Sequence, residues 1–168
     1  ARTDTSGGAL LFKNIRGDIK GDTSGGGIQA IDCRGDIRID TSGGGIKVES
    51  SAGSLQADTS GGGIRVADFE GPVDVDTSGG GIELLRVQGG VTASTSGGPI
   101  RATLLSPIQS DVRLNTSGGG IQVSLPRDAA FTLDAECSGG SVKSNLPVTT
   151  SGEIERNRLE DEQLEGRR

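Results

Sequence analysis

With 168 residues, a net charge of −6, no histidine and three phenylalanines as its only aromatic residues, the chain is the size of one domain and cannot be built around a large aromatic core. Its 17 basic residues are scattered among 23 acidic ones, so it offers neither the basic face nor the aromatic platforms of a nucleic-acid binder. No run of about 18 apolar residues is present to span a membrane as a helix, and membrane anchoring is expected only through sequence outside this chain.

Only 31% of the residues are hydrophobic and thirty are glycine, a composition that by itself points to disorder. The spacing points the other way. Thr-Ser-Gly-Gly begins at Thr5, Thr23, Thr41, Thr59, Thr77, Thr95 and Thr116, and Cys-Ser-Gly-Gly begins at Cys137. The steps are 18 residues up to Thr95 and 21 thereafter. A fixed period of this length is the signature of a solenoid.

The unit from Thr41 to Asp58 shows the elements in order. The glycines lead into Ile46 and Val48 with Lys47 between them, then a polar stretch reaches Gly53, and Leu55 and Ala57 follow. Each alternation of period two is a strand signal. The halves repeat at nine residues, so each coil is expected to hold two short strands joined by two tight turns. The predicted fold is all-β: a single-stranded parallel β-helix, or β-solenoid, of about seven coils of 18–21 residues with two short strands per coil.

Stacking coils aligns four inward columns. They run from Leu10 through Ile64 to Val142, from Phe12 through Val66 to Val123, from Ile19 through Val73 to Leu133, and from Gly21 through Val75 to Ala135. Lys47, Arg65, Glu83, Arg38 and Arg113 lie between them and are expected to face solvent. A single coil has too few aliphatics to offset the ordering of its backbone, so stability must come from stacking. The parity that turns Ile39 inward and Asp40 outward also turns Thr41 inward, which argues against an outward threonine row of the ice-binding kind.

Three consecutive glycines recur, as at Gly61 to Gly63. At least one is expected at positive φ or beside a coil that leaves no room for a Cβ. Pro99 occupies the third place of its tract, which assigns the constraint to the first or second glycine. On this reading Gly61 and Gly62 resist substitution and Gly63 tolerates alanine.

The two 21-residue steps place insertions around Leu104 to Ser110 and Leu125 to Ala130, with Pro107 and Pro126 where no ladder donor is needed. They are the irregular loops of an otherwise regular chain. After Pro147 the pattern weakens, and Thr150-Ser151-Gly152 begins a partial coil. Residues 1–155 are read as the solenoid domain and residues 156–168 as a charged C-terminal tail or incomplete cap.

The segment Leu125-Pro126-Arg127-Asp128-Ala129-Ala130-Phe131-Thr132-Leu133-Asp134-Ala135, followed by Ser138-Gly139-Gly140-Ser141-Val142, resembles a bacterial adhesin-type family. That family is a widespread β-solenoid domain of unknown function whose adhesin label is itself inferred. The resemblance covers residues 4–155 and includes the Ser-Gly-Gly-x-Ile repeats. It implies an envelope-associated bacterial protein and supplies no catalytic residues. Arg158 to Arg168 depart from the further Gly-x-Ile coil with which such domains end.

Asp22, Asp40, Asp58 and Asp76 form a column, with Asp4 before them. At a coil spacing of about 4.8 Å, like charges repel by roughly 1 kcal/mol in water. A line of cations such as Ca²⁺ would relieve this, and so would Asx-turns in which each carboxylate accepts main-chain amides. Ser94 and Asn115 interrupt the column and favour turns, so no metal site is assigned. Cys33 and Cys137 stand five to six coils apart, roughly 25 Å, beyond disulfide reach, and are expected to be free and packed at turns.

No catalytic residue and no cofactor site is read from the chain, which lacks the walled, carboxylate-paired cleft of β-helical polysaccharide hydrolases. The expected function is a non-enzymatic structural or adhesion-type rod at the bacterial cell envelope or outside the cell, presenting flat polar faces to a protein or cell-surface component. The rival is a self-assembling scaffold, like bactofilin solenoids, that oligomerises through open coil ends.

Overall fold

The computed structural model describes residues 1–105, 110–126 and 132–145. It consists of fifteen parallel strands, with no helix among the described residues. They are β1 (Arg2–Thr5), β2 (Leu10–Lys13), β3 (Ile19–Thr23), β4 (Ile28–Ile31), β5 (Arg34–Thr41), β6 (Ile46–Thr59), β7 (Ile64–Glu70), β8 (Val73–Thr77), β9 (Ile82–Gln88), β10 (Val91–Thr95), β11 (Ile100–Leu104), β12 (Val112–Thr116), β13 (Ile121–Ser124), β14 (Leu133–Cys137) and β15 (Val142–Ser144). They wind into a β-solenoid of about seven turns.

Two walls result. One stacks β2, β4, β6, β7, β9, β11, β13 and β15, and the other stacks β1, β3, β5, β6, β8, β10, β12 and β14. Equivalent residues lie side by side, Ile46 with Ile64 and Leu55 with Val73, so the sequence period is the register. Strand β6 belongs to both walls because it runs unbroken through a corner. In the other coils the strands break at this corner, between β4 and β5 and between β7 and β8 for example, as two turns per coil predict.

The core has six inward columns where alternation predicts four aliphatic ones. The four are buried as expected through the middle of the rod, Ile64, Val66, Val73 and Val75 among them. The threonine column is buried too, from Thr23 at 6% exposure to Thr116 at 0%, as parity requires. The sixth column fills the other corner with Cys33, Ser51, Phe69, Val87 and Leu104, and Ile15 partly buried ahead of them.

That sixth column has a backbone cause. Asn14, Asp32, Ser50, Asp68 and Arg86 adopt φ between 50° and 56°. A left-handed residue turns the strand so that the next side chain, Ser51 or Phe69, points inward where alternation would send it out. Coil by coil, the glycine three residues later also has positive φ, from Gly17 at 118° to Gly35 at 141°, a region that glycine alone enters freely. At Thr103 the left-handed residue is missing. The register shifts there, and Leu104 pairs with Val87.

The first coil closes differently. Phe12 lies over Gly21, where a Cβ would stand 2.7 Å from the ring. A large residue thus fills the gap its facing column leaves, as close packing demands.

Among the insertions, residues 106–109 and 127–131 lie outside the described residues, Pro107 with them. So do the partial coil at Thr150-Ser151-Gly152 and the tail at 156–168. Leu105 is exposed and Pro126 half-buried between strands.

Candidate functional site

The Thr-Ser-Gly-Gly corner is held by one repeated hydrogen-bond pattern. Gly44 N–H donates to Thr41 Oγ1 at 3.3 Å, and that hydroxyl donates to the Gly26 carbonyl of the preceding coil at 2.7 Å. Thr59 then donates to Gly44 O at 2.8 Å, Thr77 to Gly62 O at 2.7 Å and Thr95 to Gly80 O at 2.7 Å. Hydroxyls and glycine peptides form a chain along the rod. Cys137 continues it, its thiol donating to Gly119 O at 2.8 Å and accepting from Gly140 N–H at 3.0 Å.

The glycines of this corner are needed for space. An added Cβ at the second glycine, as at Gly62, would stand under 3.0 Å from the carbonyl of the preceding coil. No glycine of these tracts has positive φ. The constraint expected at the first or second glycine therefore falls on the second, and it is steric. The expected order of the other two is reversed: Gly61 would place a Cβ 3.4 Å from Gly43 O, and Gly63 one 3.0 Å from Gly81 O.

Both cysteines are buried, and neither forms a disulfide. Cys33 sits at the left-handed corner, where its N–H donates to Ser51 Oγ at 3.1 Å and Ser51 in turn donates to Glu49 O at 2.8 Å.

The side chains available to a partner are the outward rows. On the wall built from β4, β6, β7, β9 and β11, Gln29, Lys47, Arg65, Glu83 and Arg101 are in register. Arg65 meets Glu83 at 3.7 Å and Lys47 meets Glu49 at 3.0 Å. At the left-handed corner Arg86 holds Asp68 with two hydrogen bonds of 2.5 and 2.8 Å. Those bonds keep the Asp68 carboxyl below its ordinary range. On the opposite wall one shallow open groove of about 370 Å³ runs along the axis between the Arg38, Gln56, Asp74 and Thr92 row and the Ser54, Pro72 and Gly90 row.

The aspartate column stands in register, Asp22 beside Asp40, Asp40 beside Asp58 and Asp58 beside Asp76. The Asx-turn expectation is not what the structure contains. Asp22 pairs with Lys20 at 3.8 Å, while Asp40, Asp58 and Asp76 make no ion pair or side-chain hydrogen bond among the described residues. The corner amide goes to the threonine hydroxyl instead. Partial burial first, and then the charges of Asp40, Asp76 and Asp74, push the Asp58 carboxyl above its ordinary value. Among the described residues no group of three or more His, Cys, Asp or Glu side chains is arranged to hold a metal ion, and no helix is long and apolar enough to cross a membrane.

The model of the Toastrack DUF4097 family matches residues 10–167. The chain belongs to that family. Toastrack DUF4097 is a domain of unknown function, so membership supports a structural repeat protein and assigns no chemistry to any row. No curated protein and no solved structure matches the chain.

Sequence reasoning missed the sixth column and the hydroxyl chain. The signal for the column is the row Asn14, Asp32 and Asp68, since asparagine and aspartate enter the left-handed region more readily than other residues. The signal for the hydroxyl chain is the threonine itself. Packing alone would accept valine at an inward corner.

Proposed function

We propose that this Toastrack chain is a non-enzymatic, adhesion-type structural rod of the bacterial cell envelope, whose flat polar walls contact a protein or cell-surface component. The observation that supports it is the in-register row of Lys47, Arg65, Glu83 and Arg101 on a rigid wall. Solvent-facing side chains at a fixed spacing of about 4.8 Å are a template for an extended partner. Surface contacts of this kind act chiefly through charge complementarity, which salt screens.

The test is co-sedimentation of the full chain with purified bacterial envelope fragments. Binding should occur at low salt, weaken at high salt, and drop when Lys47, Arg65 and Arg101 are changed together to glutamine. A chain that stays in the supernatant at low salt, or a triple variant that binds as well as the parent, sinks the reading.

A further inference from the structure

We propose that the shallow groove on the wall of β5, β6, β8, β10 and β12 is a docking site for an extended peptide segment carrying an acidic and a basic group four residues apart. The groove lies on the wall opposite Lys47, Arg65 and Arg101 and does not depend on the envelope reading. It exists because one outward row loses its side chains. Asp36 is followed, coil by coil, by Ser54, Pro72 and Gly90, while the neighbouring row keeps the longer Arg38, Gln56 and Asp74, with Thr92 after them. The trough between the rows measures about 370 Å³. Its far end is closed where the first 21-residue step returns to the wall. A Cβ at Gly90 would stand 2.9 Å from the Ser110 Cβ, and Asp111 lines the groove beside it. The groove therefore has a closed end and a defined length, which the plain walls around it lack.

The charges bordering the groove are unpaired and of opposite sign. Arg38 stands towards one end, Asp74 and Asp111 towards the other, and all three are exposed. None of them makes an ion pair or a side-chain hydrogen bond among the described residues. Asp36, on the strand of Arg38, is taken by the Ser54 hydroxyl at 2.6 Å. Asp58 and Asp76, side by side in the next row, deepen the negative end. Arg113 lies in register with Thr92 and pairs with neither carboxylate.

The occupant follows from spacing and charge. From Arg38 to the space over Gly90 and Thr92, between the two carboxylates, is three coils, roughly 14 Å at the spacing of stacked strands. Four residues of extended chain span about 13 Å and return the side chain to the same face. An acidic group at Arg38 thus places a basic one over Gly90, where the missing side chain leaves room for an ammonium or guanidinium. Between them, the Gln56 amide and the Thr92 hydroxyl are at hand for the peptide's own polar groups. The exposed Pro72 ring offers an apolar contact to a middle side chain. A glycan is the poorer fit, because the groove has no aromatic face on which a sugar ring could stack.

Heteronuclear NMR titration of the full chain with the peptide Ac-Glu-Thr-Val-Thr-Lys-amide is the test. The peptide should shift the amides of Gln56, Asp74 and Thr92 and leave those of Lys47 and Arg65 in place. Changing Asp74→Asn and Asp111→Asn together should weaken binding about tenfold, and Arg38→Gln about threefold. All three residues are exposed, so the melting temperature should stay with the parent's. The isomer Ac-Thr-Glu-Lys-Thr-Val-amide, with its charges adjacent, should bind more weakly than the probe. The inference is overturned by unshifted amides at millimolar peptide, by equal binding of the isomer, or by a double variant that binds like the parent. Chitotriose shifting the same amides where the peptide does not would give the groove to glycans and overturn it as well. Envelope binding through the opposite wall is read by sedimentation, so either reading can fail alone.

Discussion

The two corners of the coil solve the same turning problem by opposite means. The Thr-Ser-Gly-Gly corner is uniform: the same hydrogen-bond pattern, through a threonine hydroxyl or at the last corner the Cys137 thiol, and the same close approach recur from Thr23 to Cys137. The left-handed corner is varied. It turns on asparagine, aspartate, serine or arginine, and it buries cysteine, serine, phenylalanine, valine or leucine behind the turn. At the first corner every residue contacts its copy in the next coil, so any departure is felt by two neighbours. At the second the side chains fill a volume, and volume can be filled in several ways. Uniformity therefore marks where main chain meets main chain, and variety marks where side chains pack.

The largest expected effect lies at the uniform corner. Gly62→Ala forces a methyl against the Gly44 backbone, which the ladder cannot release, and should cost more than about 3 kcal/mol. Gly61→Ala, with its nearest contact at 3.4 Å, should cost much less. Urea unfolding of the pair measures the difference, and equal midpoints would break the steric account.

Next comes the hydroxyl. Thr77→Val keeps the shape but strips the donor to Gly62 O and the acceptor for Gly80 N–H. Leaving buried polar groups unsatisfied should cost about 1–3 kcal/mol. Thr77→Ser keeps both bonds and should be milder. If valine proves as stable as threonine, packing alone governs the corner.

The varied corner should respond in the other direction. Ser50 sits at φ 50°, so Ser50→Asn places a residue that accepts this region more easily and should raise stability by up to about 1 kcal/mol. A loss of stability in thermal melts would mean that serine is required there, against the idea that this corner tolerates exchange.

The smallest effect concerns charge. The Asp58 carboxyl is raised above its unfolded value by burial and by Asp40, Asp76 and Asp74. A raised carboxyl binds its proton more tightly in the folded state, so it lowers stability as pH rises from the unfolded value of 3.8 through the folded one. Asp58→Asn should therefore stabilise the rod near neutral pH, with the advantage vanishing below pH 3.8. An advantage independent of pH would place the effect in packing.

How much of this was legible in the sequence follows the same division. Columns of Ile, Val and Leu at fixed spacing determine register, inward face and coil number, because period-two alternation is a direct image of the pleat. The left-handed corner was not legible by that logic. A residue at φ near 50° breaks the alternation while leaving the 18-residue period intact, so Phe69 and Val87 look misplaced until the backbone is seen. The aspartate column misled for a related reason. Aspartate beside Thr-Ser-Gly suggests a side-chain turn, but the neighbouring threonine points inward and claims the amide. The outward rows were legible as solvent-facing, and their partner was not, since a row of mixed charge specifies a surface and no single ligand.

Because each coil meets only the coil before and the coil after it, the gene inherits an unusual freedom. An in-frame duplication or loss of one 18-residue repeat would lengthen or shorten the rod by one rung and keep the coils on either side in register. Length in this fold is a quantity that changes in whole steps of one coil.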